Sequence, residues 1–544
     1  MRRARNSSCN SQERLSRNPS ICRVSVASVR LGGKISMITR STLVRVLAAS
    51  LALAAPSGSF ANQHPHPHTG SLGYLDRNSY AKNMRVLGVF QLGEERGHKL
   101  QMMAIGARRF ILQNGDVIDV SDPRAPKLVK HGAFRGSQLQ VAFNKKLGKW
   151  ILITGASSPI TSTTATAPNG KYDDPSLIEK TQQGPGLRGI RIWDATDPAN
   201  TILLSEFSTD GGDPKRKVQA GSGTHRNYYD GGDYAYLDTA PDDSFTHMES
   251  PIRWHGNGIM VVDVSDPSNP KQVAMWWVPG QRAGEEAQYK AWREYGDKVS
   301  FTSLHGPMYV PKKAEDGGKL GYSAYGSFGM LIHDLSDIRN PKLLGRFTPD
   351  YEYTRGTVIA FHTIDVARLA RGFVITNPET LSPDCNETYV PSWIVDVRDP
   401  AAPKAISRLP VPTPPREAPY KTFCDKRGRF GPHNPPHIKA PGKPDPNFTC
   451  YAHFNAGVQC YDIRDPKNPR IVAYFIPPQG GELDKWNSYN RTVDNVFIEW
   501  DRKVIWIGTD TGLYALEAPA LGKPITGPTP VKEWSLPGLN AGHP

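Results

Sequence analysis

Long apolar runs, cysteine and helical periodicity are all scarce in this chain. Of its 544 residues, six are cysteine. Apolar residues rarely recur at the i, i+3, i+4 spacing of an amphipathic helix, which argues against a helical bundle. The longest apolar stretch, residues 46–55, is too short to cross a bilayer, so no transmembrane segment is expected. The sequence has no Gly-rich phosphate loop, Gly-x-Ser-x-Gly elbow or His-Glu-x-x-His helix. Their absence argues against a nucleotide cofactor, common serine hydrolases and zincin proteases. Basic charge is not clustered in the body of the chain. The net charge is +14, but residues 1–61 hold ten Lys/Arg and one Glu. The remainder mixes both signs and lacks the basic face that nucleic acid requires.

The N-terminal region reads as a targeting segment. Residues 1–36 are rich in Arg and Ser and fit a misassigned start or a disordered extension. Residues 37–61 fit a signal peptide. A short positive region opens at Met37, residues 46–55 are apolar, and Ser59-Phe60-Ala61 is a small-x-small cleavage site. Residues 62–83 include His64, His66 and His68 and read as a flexible leader. The expected location is the periplasm, the medium or the cell surface. Cys385, Cys424, Cys450 and Cys460 make an even set after the leader, as two disulfides in an oxidising compartment require. Cys450 and Cys460 flank a hairpin turn at residues 455–457 and would face each other, leaving Cys385 to Cys424. Four cysteines allow three pairings, and no C-x-x-C spacing favours a thiolate metal site.

What the chain does have is a repeat. Residues 260–277 read M-V-V-D-V-S-D-P-S-N-P-K-Q-V-A-M-W-W: a strand, an Asp-Pro turn and a second strand. Six copies occur, with turn aspartates at Asp122, Asp197, Asp266, Asp337, Asp399 and Asp465. Their spacing of 62 to 75 residues is that of a solenoid or propeller. Each copy forms the outer half of a four-strand unit, and a seventh unit at residues 493–517 lacks the turn. Residues 84–92 resemble the missing fourth strand and would close the ring from the N-terminus, which removes exposed sheet edges. Residues 532–536 are an alternative source for that strand, and six blades with an accessory sheet an alternative fold. The expectation is all-β: one seven-bladed β-propeller over residues 84–520, closed by N- and C-terminal strands, with a tail at 521–544. The turn aspartates read as structural. Asp hydrogen-bonds backbone two residues on, and Pro presets the turn.

The motif (Val/Ile)-x-Asp-(Val/Leu/Ile)-Ser-Asp-Pro-x-x-Pro-Lys resembles the LVIVD repeat of bacterial and archaeal exported and cell-surface proteins. The resemblance spans residues 84–520 and implies a propeller but no particular activity. The fourth copy departs from it, with Ile338 in place of Pro.

His98, His225, His305, His362 and His433 each stand at the start of a unit's first strand. In a propeller that strand lines the channel, so equivalent positions converge at one end of the axis. Gln138 and Arg491 take the place in units two and seven. Imidazole is a common ligand of copper, iron, zinc and manganese sites, and several at an axis can hold a metal with an open position for substrate. Asp230, Asp233, Asp365 and Asp494 are candidates for supporting roles; His247, His255, His437 and His453 lie near the same units. His333 reads as a packed side chain. A polar ring that only closes the channel, or an anion or sugar site, are the other readings of the five histidines. In plan, such a ring is similar to the selenium-binding protein and methanethiol oxidase group. That resemblance implies copper, with His305, His362 and His433 as ligands and His225 and His98 completing the set. Trp254, Trp276, Trp277, Trp292, Tyr289 and Tyr295 crowd one junction, as packed outer-strand residues or as a surface for protein or glycan. Two functions follow: a metal-dependent oxidoreductase acting on a small molecule in the channel, or a non-enzymatic scaffold that binds a protein or glycan on its loops.

Overall fold

The computed structural model describes residues 75–91, 99–156, 187–210, 221–245, 256–282, 284–285, 287–288, 303–357, 359–436, 439–480 and 492–534. All lie within one compact unit, residues 60–544. They form seven antiparallel sheets in a propeller, with almost no helix. Blades one to five run in chain order. Blade one, for example, is Gln101–Ile105, Arg108–Gln113, Asp116–Asp119 and Lys127–Lys130. Apolar cores fill the spaces between blades. One joins Tyr228, Tyr322, Ile332 and Val374, drawn from blades three, four and five.

The repeat turns are alike in detail. In blade one, Asp119 Oδ1 accepts the Ser121 amide at 2.9 Å and Asp122 Oδ1 accepts the Arg124 amide at 3.0 Å. The same two bonds recur at Asp194/Asp197, Asp263/Asp266, Asp334/Asp337, Asp396/Asp399 and Asp462/Asp465, all between 2.8 and 3.1 Å. The second aspartate's role is as expected. The first aspartate's matching role was not foreseen. Ile338 changes nothing: the Arg339 amide still reaches Asp337 Oδ1 at 3.1 Å.

The turn also explains the strand that follows it. Every blade has a register shift between its third and outermost strands. Such a bulge bends the edge strand, and the outer strand then leans on the next blade's turn. Ser205 Oγ donates to the Pro267 carbonyl at 2.6 Å and Ser407 Oγ to that of Pro466 at 2.5 Å. Gly345 fills the same place in blade four. A Cβ there would lie 2.1 Å from the Pro400 carbonyl oxygen, so only glycine fits.

Both chain ends complete the ring. Arg85–Phe90 pairs with Leu513–Glu517 as the fourth strand of blade seven, from Arg85 opposite Glu517 to Phe90 opposite Leu513. Residues 532–534, the described part of the alternative at 532–536, do not supply that strand. Trp534 instead makes a single bridge to Pro441 and packs on Trp150, ring centroids 5.9 Å apart. The leader boundary also moves, because Tyr80–Lys82 adds a strand to the outer edge of blade six, opposite Ile476–Tyr474. One expected inner strand is missing. Blade four has three strands, with residues 307–310 reduced to a bridge between Tyr309 and Tyr322. Pro307 and Pro311 explain this, since proline has no N–H to give a ladder. In blade six the expected inner strand at 436–439 lies partly outside the described residues, and the backbone of His433 and Asn434 bonds Ala452.

The two disulfides are Cys450–Cys460 and Cys385–Cys424. The first joins directly opposed residues of neighbouring strands in blade six. Among the described residues no helix is long and apolar enough to cross a membrane.

Candidate metal centre

First strands run from one face of the ring, termed upper here, to the other. The starting residues of blades three to six therefore meet at the upper end of the axis. His225, His305, His362 and His433 stand in a row there, with successive ring centroids 4.7, 5.1 and 4.5 Å apart. The last pair is stacked, and Phe454 stacks on the far side of His433 at 4.7 Å. Gly306 makes the approach possible. A Cβ there would sit 1.6 Å from the His362 carbonyl oxygen.

Three of these rings converge on a carboxylate that the sequence reading missed. Glu379 ends the second strand of blade five, Phe373–Glu379, every residue of which is buried. Its Oε2 lies 2.9 Å from His305 Nε2 and 3.3 Å from His362 Nε2; its Oε1 lies 3.5 Å from His433 Nε2. Arg429 Nη1 donates to Oε1 at 2.9 Å, leaving Oε2 to His305 and His362. On the other side of His433, Nδ1 lies 2.9 Å from the Asp494 carbonyl oxygen and 3.2 Å from Asp494 Oδ1. In the tautomer that donates Nδ1–H to that carbonyl, Nε2 turns a lone pair toward Glu379. Two acceptors then face each other, an arrangement relieved by a cation between them.

Charge follows from burial. His305, His362, His433 and Glu379 are all buried. Burial lowers His305, takes His362 well below the usual imidazole range and brings His433 down to about 4. Burial alone pushes the Glu379 carboxyl up, but His362, His433 and the His305 hydrogen bond outweigh it and hold it well below the usual carboxylate range. At neutral pH the centre is one carboxylate, one guanidinium and neutral imidazoles, the form in which histidine binds metal.

His305, His362 and Glu379 can hold a metal ion, with one donor atom from each lying within 4.8 Å of the others. Ions bound at 2.0–2.2 Å keep neighbouring ligand atoms roughly 3–4 Å apart, close to the contacts to Glu379. The donors are nitrogen and oxygen, with no thiolate, a set suited to zinc, iron, manganese or copper(II).

The other expected site residues separate clearly. His225 joins the row through its ring contact with His305. His98, Arg491, His247, His255 and His437 lie outside the described residues, as do Trp254, Trp292, Tyr289 and Tyr295. Gln138 lines the channel cavity. Of the four aspartates, only Asp494 reaches a cluster histidine. Asp365 pairs with Arg368 at 2.8 Å and accepts the Tyr451 hydroxyl. Asp233 pairs with Lys146 at 3.3 Å. Asp230 is fully buried, and burial raises it to about 6 beside Lys313 and Glu315. Asp365 ends the first strand of blade five, and Asp230 and Asp233 follow that of blade three, so all three stand at the lower end, away from the histidines. His453 lies against Tyr461. His333 packs on Trp276 at 4.3 Å, as a buried side chain. Trp276 and Trp277 are half-buried, packed on Tyr325 and Phe245.

Glu379 and Arg429 had a signal in the sequence. A carboxylate at the end of the apolar strand F-V-I-T-N-P-E has to be buried, and a buried charge needs a partner. No other blade carries an equivalent, so comparison of repeats passes over both residues.

The LVIVD repeat family matches residues 254–275, the copy that contains Asp266. The chain thus carries an LVIVD repeat on a seven-bladed propeller. No curated protein matches it. Among solved structures it is similar to the crystal structure of Chaetomium thermophilum Raptor, at 8% identity and a TM-score of 0.40. That likeness covers 80% of this chain and 29% of the other, so this chain spans less than a third of that protein.

Proposed function

We propose that this propeller is an exported metalloprotein. It holds a transition metal between His305, His362, His433 and Glu379, with His225 beside them, and acts as a metal-dependent oxidoreductase on a small molecule in the channel. The observation that carries the reading is the convergence of three buried imidazole Nε2 atoms and one carboxylate from three blades. Burying four ionisable groups without a shared task is costly. A bound ion would supply Lewis acidity or electron transfer. The chain's own part is positional. Arg429 holds Glu379 Oε1 so that Oε2 faces the histidines, and the Asp494 carbonyl orients His433. Phe454 closes the side of the cluster behind His433. Two disulfides support export through an oxidising compartment.

The test is metal content of protein purified from the periplasm without a His tag. Wild type is expected to carry about one transition metal per chain, and the His305→Ala/His362→Ala double variant to lose it. Glu379→Gln, which keeps the shape and removes the charge, should weaken retention by roughly 10–100-fold. A folded wild type that takes up no zinc, iron, manganese or copper on titration would overturn the reading and leave the protein- or glycan-binding scaffold as the function to pursue.

A further inference from the structure

Glu379 and Arg429, the ion pair behind the metal centre, stand 50 residues apart in the chain. A disulfide ties together the two segments that carry them. Cys385 lies six residues after Glu379, and its partner Cys424 lies five residues before Arg429. The cysteines are 39 residues apart. Without the bond that loop has to close unaided, at an entropic cost that grows with its length. The other disulfide, Cys450–Cys460, joins two strands inside blade six.

Polar contacts carry the clip onward to the ion pair. The Asp384 amide donates to the Gly428 carbonyl at 2.8 Å, and the Gly428 amide donates to Asp384 Oδ1 at 3.0 Å. Asp384 Oδ2 lies 3.5 Å from Arg427 Nε. The Asn455 amide donates to the Arg429 carbonyl at 3.1 Å, so blade six holds this backbone from one side and the clip holds it from the other. The clipped turn is strained. Asp384 and Cys385 both have φ of +54°, left-handed backbone that is costly for two consecutive residues with a Cβ. Such backbone persists only where its surroundings hold it. Glu387 Oε2 does so on one flank, accepting the Leu381 and Ser382 amides at 2.7 and 2.8 Å. The disulfide and Gly428 do so on the other. With the disulfide open the turn can relax and Asp384 leaves Gly428. Arg429 then keeps its charge but loses the fixed position from which it holds Glu379 Oε1.

We propose that Cys385–Cys424 is a redox-controlled clip that positions Arg429, and through it Glu379, so that the centre grips metal tightly only in the oxidised chain. The effect on metal rests on the metal reading above; the clip itself does not. In the closing step the two cysteine thiols pass two electrons and two protons to an external disulfide. That disulfide leaves as two thiols, and the S–S bond forms in the chain. Under the export proposed above, tight metal binding would follow arrival in the oxidising compartment.

The experiment titrates zinc against a chromophoric chelator in wild type and in Cys385→Ser/Cys424→Ser, which also removes the thiols that could bind zinc themselves. The double variant should hold zinc roughly 10-fold or more weakly, the effect of losing a group that orients a ligand, with the stoichiometry at saturation unchanged. Asp384→Gly keeps the disulfide, relieves the left-handed φ and removes the acceptor of the Gly428 amide. It should weaken zinc a few-fold and guards against a folding defect in the double variant. Cys424 is half-buried, whereas Cys450 and Cys460 are fully buried, so a phosphine should open the clip first. Reoxidation of that protein with glutathione disulfide should restore the wild-type affinity, and failure to recover would overturn the redox control. A disulfide that only stabilises the fold would lower the melting temperature of the metal-free protein and leave zinc affinity alone. Unchanged affinity in both variants would therefore overturn the proposal. Should wild type take up no metal, amide hydrogen exchange over residues 425–431 decides the clip. Faster exchange in the double variant would keep it and sink only the metal reading; unchanged exchange would sink both.

Discussion

The rim and the axis of this propeller obey opposite rules. On the rim, six turns repeat the same pair of Asp-to-amide bonds with hardly any variation. At the axis, the structurally equivalent position holds Gln138, His225, His305, His362, His433 and, in blade seven, the neighbourhood of Asp494. The rim repeats because blades two, four, five and seven each meet the next blade through the same contact, outer strand against next turn. The axis diverges because its residues meet one another around a single point, where seven identical side chains would crowd.

The comparison predicts that rim and axis substitutions have separable effects, and four measurements can break it. The largest effect is expected at the junction of blades seven and one. Glu499 there contacts Arg109 Nε at 3.3 Å, Arg502 Nη2 at 2.7 Å and Trp506 Nε1 at 2.9 Å, with the carboxylate and both guanidiniums fully buried. Glu499→Ala leaves Arg502 no carboxylate, only the Val120 and Ser121 carbonyls, and leaves Arg109 to Asp501 alone; it should cost about 3–5 kcal/mol in urea denaturation. Metal content of the remaining folded protein should not change.

Next comes acid. Burial holds His333 and His453 at about 3, far below the ordinary imidazole value. Between that value and the unfolded value of about 6.5 the unfolded chain binds protons that the folded chain refuses, so stability rises with pH across the window. Their contribution is complete above about pH 6.5 and falls away as pH drops, by on the order of 3 kcal/mol each at pH 4. His333→Leu should flatten this acid slope in melts taken from pH 7 to pH 4. An unchanged slope would mean that His333 is not held neutral.

A smaller effect is expected in a single turn. Asp266→Ala removes the bond to the Ser268 amide and should cost about 1 kcal/mol without altering metal retention. Loss of metal in this variant would show that rim and axis are coupled. The smallest change should be a gain. Ile338 occupies the one turn without proline, and its neighbours bond as in the other five. Ile338→Pro should raise stability by about 0.4–1 kcal/mol by restricting the unfolded chain.

What the sequence showed and what it hid divide along the same line. The turns were legible because six copies could be laid over one another, and the closing strand at Arg85–Phe90 because it copies the other fourth strands. Both cysteine pairs followed from one hairpin and an even count. Four histidines of the row were found by their common position. Glu379, Arg429 and the carbonyl of Asp494 were not found, since each occurs once and owes its place to a neighbouring blade. The three aspartates at the lower end were misplaced because strand direction was ignored. The missing inner strand of blade four failed on proline chemistry that the sequence displayed but that the repeat pattern overrode.

The N-terminal strands set a schedule for the molecule. Asn83 bonds the carbonyl of Val472, and Arg85 bonds Glu517, across 389 and 432 residues. Neither contact can form until almost the whole chain exists. At roughly 5–20 residues per second, a ribosome needs about 20 to 90 seconds to bridge that gap. Until then the outer edges of blades six and seven have no partner strands. A ring latched by its first strands and its last blades cannot lock early. That delay would serve the export proposed above, in which the polypeptide stays threadable until it has crossed a membrane.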